Sequence, residues 1–118
     1  MKFLDPLVVE HLDGDGWRLW FEFRCIADDG LPIYVAAAFE TDMLSIPRVA
    51  WSIIPQTGRG GKAGVVHDWL LEETNLPRDL CADYFLEALL SLNVSEAQAD
   101  TMYNMVRAHD LRVGEEGR

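Results

Sequence analysis

Residues 63–73 read AGVVHDWLLEE, with a histidine and an aspartate side by side in an apolar run. Ionisable side chains are costly to bury without partners, so any chemistry in this chain starts from His67 and Asp68. Asn75 lies midway between His67 and Asp83. If the flanking segments are helices folded into an antiparallel αα-hairpin, His67 and Asp83 stand at the same height. Helix axes about 8–10 Å apart let inward side chains meet. A His–Asp hydrogen bond fixes the imidazole tautomer and stabilises the imidazolium, and the other ring nitrogen is then free to take a proton from water. The spacing therefore predicts His67 as a base with Asp83 as its orienting partner.

Asp68 points about 100° around the helix from His67, toward a neighbouring loop. Two loops are candidates: Thr41-Asp42, and Gly58-Arg59-Gly60-Gly61, whose glycines leave the backbone free to turn carbonyls toward a cation. Asp68, Asp42 and loop carbonyls would form a hard-cation site of the calcium type. A structural reading stands beside the chemical one. His67 and Asp83 can be a buried structural pair, and Asp68 a cap or a local ion pair. Asp42 can be a turn residue or the N-cap of a segment beginning at Ser45 or Pro47. The glycine stretch can be a plain flexible connection. Asp13-Gly14-Asp15-Gly16 lacks the further ligands of a calcium loop and reads as a hairpin turn. His11 and His109 have no evident partner and read as surface residues, and Glu72-Glu73 and Glu115-Glu116 as solvated charge.

The elements that must position these residues follow from periodicity. Trp17, Leu19, Phe21, Phe23 and Cys25 alternate with Arg18, Glu22 and Arg24, a strand pattern that Trp20 interrupts on the polar face. A shorter strand precedes it over 7–12, and Asp28-Asp29-Gly30 turns the chain into a third over 31–39, a meander of three. Pro47 starts a short helix that Pro55 ends. Helices follow over about 62–73, about 77–92 with the stripe Cys81, Phe85, Ala88, Leu89 and Leu92, and from a capping box at Ser95–Gln98. The last carries Ala99, Met102, Tyr103 and Val106 inward, and the tail from about 112 frays. Strands first and helices after give an α+β fold: one domain, a small antiparallel N-terminal sheet followed by three to four helices.

The chain has 118 residues, enough for one core. Its net charge of −10 argues against nucleic acid, which needs a Lys/Arg face, and suits a cation or a basic protein patch. No apolar run reaches the roughly 18 residues of a membrane span, and the N-terminus does not read as a signal peptide. Synthesis in a cytoplasm is the expectation. Cys25 and Cys81 each sit in an apolar pattern and read as reduced core thiols.

Several motifs then line up: AAAFETDMLSIPR at 36–48, Trp51, AGVVHDWLLEE, CADYFLEAL at 81–89 and MYNMVR at 102–107. In order and spacing they resemble a family of small phage and prophage proteins catalogued as domain of unknown function 1353. That family's pattern runs G-F-x-T-D-x-A-S-x-P-R, a Pro-rich loop, H-D-x-L-Y, and A-D-x-x-F. On it Thr41, Asp42, Ser45, Pro47, Arg48, His67, Asp68 and Asp83 are motif residues. Ala38 replaces the usual Gly, Leu44 the usual Ala, and no Tyr follows HDWLL. The resemblance implies a phage or prophage origin, synthesis in the host cytoplasm, association with a virion and other phage proteins as partners. It implies no activity. A fainter similarity links the H-D helix and A-D-x-x-F to secreted and parvoviral phospholipases A2. It implies His67 as base, Asp83 as its partner, Asp68 as a calcium ligand, and lipid or cell-envelope esters as substrate. The disulfide framework and the Y-G-x-G loop of those enzymes are missing here. Two functions follow as expectations: a virion accessory or assembly protein with a structural His/Asp network, or a small calcium-assisted hydrolase.

Overall fold

The computed structural model describes residues 1–14, 16–43, 45–55 and 58–115. Asp15 of the expected hairpin turn, Leu44, Gln56-Thr57 of the glycine-rich stretch and residues 116–118 of the tail lie outside them. The fold is α+β, with strands first and helices after. Strands are β1 (Lys2–Phe3), β2 (Val9–His11), β3 (Trp17–Leu19), β4 (Phe23–Ile26), β5 (Pro32–Val35) and β6 (Glu40–Thr41). A short 3-10 helix at Arg48–Ser52 precedes α1 (Arg59–Glu73), α2 (Arg78–Ser91) and α3 (Glu96–Glu115). α3 thus stays helical past residue 112, where the tail was expected to leave it.

The single meander expected from the alternation becomes two antiparallel three-stranded sheets, ordered β1-β4-β5 and β2-β3-β6. The expected strand over 17–25 divides where Trp20 broke the pattern. Leu19 is buried in one sheet and Phe23 in the other, while Trp20 and Phe21 between them are 60% and 62% exposed. The expected strand over 31–39 divides likewise. β5 pairs with β4, the chain turns at Ala36–Ala38, and β6 pairs with β3. Ala38 holds this turn with φ 72°, and its N–H donates to the Leu19 carbonyl at 2.8 Å. That conformation disfavours any side chain, which accounts for glycine at this place in the family pattern.

α1 is the centre of the molecule. Val65, Val66 and Leu70 pack with Leu19, Phe23, Cys25, Ile33 and Val35 of the sheets. Its most extensive helix contact is with α2, whose Phe85, Ala88 and Leu89 meet Ala99, Met102 and Val106 of α3. A third side is covered by the segment 43–55, which contributes Met43, Ile46, Ala50 and Ile54 to the core. The glycines permit that approach. Arg59, Gly60 and Gly61 form the first turn of α1 rather than a flexible loop, and the Trp51 ring lies against Gly60 and Gly64. Cys25 and Cys81 are free and buried, and burial raises their thiols to about 12 and about 11.

Two substitutions check this packing. Ala38→Gly removes left-handed strain of about 1–2 kcal/mol and returns part of it as unfolded-state entropy. Urea denaturation should show a net gain on the order of 0.5–1 kcal/mol. Gly60→Ala places a methyl group against the Pro55 carbonyl and 2.9 Å from Ile54 Cγ2. It should cost about 1–3 kcal/mol in the same measurement, outweighing alanine's helix advantage of about 1 kcal/mol.

Candidate functional site

Enclosure of α1 on three sides explains how two adjacent ionisable residues are both buried. His67 is 0% exposed and Asp68 5%. The segment after β6 supplies their partners. Thr41 is buried, and its Oγ1 accepts from the Met43 N–H at 3.0 Å, which turns the chain toward α1. Met43 then takes φ 57° and inserts its side chain beside Gly64. This brings Ser45 Oγ to 3.0 Å from His67 Nδ1. The Thr41 and Ser45 hydroxyls both also favour the charged form of Asp68.

The electrostatics of the pair follow from burial. His67 is pushed down to about 3, first by loss of water and then by the positive charges of Arg78 and His109. The ring is neutral at physiological pH and lies 5.4 Å from the Phe85 ring, tilted 58° to it. Its Nε2 and Asp68 Oδ2 are buried with no hydrogen-bond partner among the described residues. The proton placement that leaves least unpaired has Nδ1–H donating to Ser45 Oγ and the Ser45 O–H donating to Asp68. A bare Nε2 lone pair is then the orphan, which is cheaper than an orphaned N–H. Asp68 itself is raised above the usual carboxylate range, by burial foremost and then by the charge of Asp42, against the pull of the two hydroxyls.

The expected His67–Asp83 contact is not formed. Asp83 is exposed, and its Oδ1 accepts from the Tyr103 O–H at 2.6 Å, while the Tyr103 oxygen accepts from Arg107 at 2.9 Å. Equal arms about Asn75 leave out the helical period, which sets the face. Cys81, Ala82, Phe85, Ala88 and Leu89 point inward, so His67 meets Phe85, and Asp83 ties α2 to α3 instead.

The calcium reading lacks ligands. Asp42 and Asp68 are near enough to interact as like charges. Yet no group of three or more His, Cys, Asp or Glu is arranged to hold a metal among the described residues. Hard cations of this size take six to eight oxygens, and three of the four loop residues expected to supply carbonyls, Arg59, Gly60 and Gly61, belong to a helix. The 3-10 helix begins after Pro47 with no side-chain cap bond, and Arg48 is exposed.

Residues that the spacing argument missed complete the region. Arg78 Nε donates to Asp110 Oδ1 at 3.0 Å, joining the start of α2 to the end of α3. Asp110 is buried, its Oδ2 has no partner among the described residues, and burial raises its carboxyl. His109, read as a surface residue, is half-buried and lines the same pocket as Ser45 and Asp68. The signal was present: His109-Asp110 is a second H-D pair, and Asp110 continues the inward stripe Met102–Val106 at four-residue steps.

The sign of the pH response follows. The folded-state pKa of His67 lies below the usual 6.5, so the unfolded chain binds the extra proton between about 6.5 and about 3. His67 therefore lowers stability as pH falls through that window. Asp68 acts oppositely, since its raised pKa lets the folded chain take a proton first. Urea unfolding from pH 7 to 4.5 should show the wild type losing up to about 1.4 kcal/mol per pH unit more than His67→Gln.

Neither a curated protein nor a solved structure matches the chain. A family profile described as a protein of unknown function (DUF1353) does match, over residues 17–106. That span runs from β3 through most of α3 and includes Thr41, Ser45, His67, Asp68, Asp83 and Tyr103. With most of its length under that profile, and with the motif residues placed as described, the chain belongs to the DUF1353 family.

Proposed function

We propose that the protein is a non-catalytic phage or prophage component, a virion accessory or assembly module. In this reading Thr41, Ser45, His67 and Asp68 form a structural polar network that seats the segment 43–55 on α1. One observation carries the non-catalytic part: His67 is fully enclosed, holds Ser45 through Nδ1, and has no acid at Nε2. A general base must reach its substrate and titrate near working pH, whereas this ring is out of reach and pushed down to about 3. The phage setting, with other phage proteins as partners and synthesis in the host cytoplasm, is supported by the motif resemblance. No helix among the described residues is long and apolar enough to cross a membrane, so contact with an envelope would be peripheral.

A hydrolase acting on lipid or envelope esters is the second reading, and one observation favours it: a serine hydroxyl within hydrogen-bond distance of an imidazole. It would run through Ser45, not Asp83. Two measurements separate the readings. Under the structural reading His67→Ala should lose stability on the order of 1–3 kcal/mol, from the partner left unpaired, and purified particles should contain the chain by mass spectrometry. An esterase activity abolished by His67→Ala at unchanged melting temperature would reverse the assignment.

A further inference from the structure

Asp68 forms part of the wall of an open pocket of about 380 Å³ between α1, the start of α2 and the end of α3, with Ser45 at its edge. Glu72, one turn further along α1, lines the same pocket. It also lines an adjoining depression of about 250 Å³ that holds Glu40 and Asp42. Four carboxylates therefore line a trough joined at Glu72, the outermost of them, Glu40, being already paired with Arg18 at 3.7 Å. Like charges four residues apart on a helix repel, and Asp68 and Glu72 are such a pair. The guanidinium lining the pocket, Arg78, is already bound to Asp110 at 3.0 Å. The decisive atom is Asp68 Oδ2, an oxygen of a 5% exposed carboxyl that has no donor among the described residues.

The missing donor has a recognisable chemistry. A metal ion would need the carboxylates to converge, and no described group of three does so. A guanidinium presents five N–H donors in one plane and can bridge acids that are strung out rather than gathered. Leu71 and Val113 line the pocket beside the acids, an apolar strip of the kind that covers an arginine stem while its head is paired. The net charge of −10 draws such a group in from a distance.

We propose that this trough docks a basic segment of a partner protein, one arginine of which enters the pocket and donates to Asp68 and Glu72. This names the partner's chemistry within the assembly role above and rests on that role only for the partner being a protein.

The test is an NMR titration of the ¹⁵N-labelled full chain at low salt. Its probes are a short Arg-Gly-Arg peptide with blocked ends, N-acetyl-arginine amide, and the peptide with citrulline in place of arginine. The proposal expects saturable shifts at Ser45, Asp68, Glu72 and Val113 with the arginine peptide, and weaker ones with the single amide. It expects none with citrulline. Asp68→Asn and the surface change Glu72→Gln should each weaken binding at least tenfold, and the second keeps the test valid if the first unfolds. No shifts at millimolar peptide, equal shifts with citrulline, or unchanged binding in Glu72→Gln would overturn it. Equal affinity for the single amide would overturn the protein partner in favour of a small guanidinium compound. None of these outcomes alters particle content or the His67→Ala stability, so the assembly role is judged separately.

Discussion

The architecture depends on a helix that has no outward face for the groups it buries. α1 is covered by two sheets, by α2 and by the segment 43–55, so two consecutive ionisable residues are withdrawn from water together. Nothing on α2 answers them, since the α2 residue against His67 is Phe85. The answer comes from two hydroxyls, Thr41 at the end of β6 and Ser45 in the segment that follows it. Covering the helix creates the need for polar partners, and the segment that covers it brings them. The hydrogen bonds fix where that segment lies, and the apolar contacts of Ile46, Ala50 and Ile54 hold it there.

On the structural reading proposed above, such a network differs from a catalytic one in how charge is tuned. A serine, a histidine and an aspartate in mutual contact are the parts of a nucleophile triad, but their order matters. Here the hydroxyl stands between the ring and the acid. The acid therefore cannot orient the ring, and burial drives the ring and the carboxyl toward their neutral forms. Mutually bonded polar groups suit a core, since a low-dielectric interior strengthens the hydrogen bonds between them.

Much of the fold was legible because it rests on local rules. The α+β order, the three main helices, the Ser95 capping box and the inward stripe of α2 follow from period and turn chemistry, and Ser95 Oγ accepts the Gln98 N–H at 3.2 Å as expected. The division of two strands between two sheets was signalled only by Trp20 standing on a polar face. Alternation records which residues are buried, not which sheet buries them. At the site, His67 and Asp68 stood out because charge in an apolar run is conspicuous. Their true partners were hidden because Ser45 lies far away in sequence and its placement depends on Met43 adopting a left-handed backbone. Counting from Asn75 to Asp83 points to the helix that His67 meets but not to the face it presents. A residue two places along the helix, Phe85, is rotated far enough to take the contact.

The enclosure of α1 also bears on how the chain can change over generations. Between Gly60 and Leu70 only Lys62 and Trp69 escape full burial. Glycines there cannot grow, the valines cannot become polar, and the two ionisable residues cannot be exchanged without changes in a distant segment. Drift in this stretch is confined to two positions, and any lineage that replaces His67 should carry a matching replacement at Ser45.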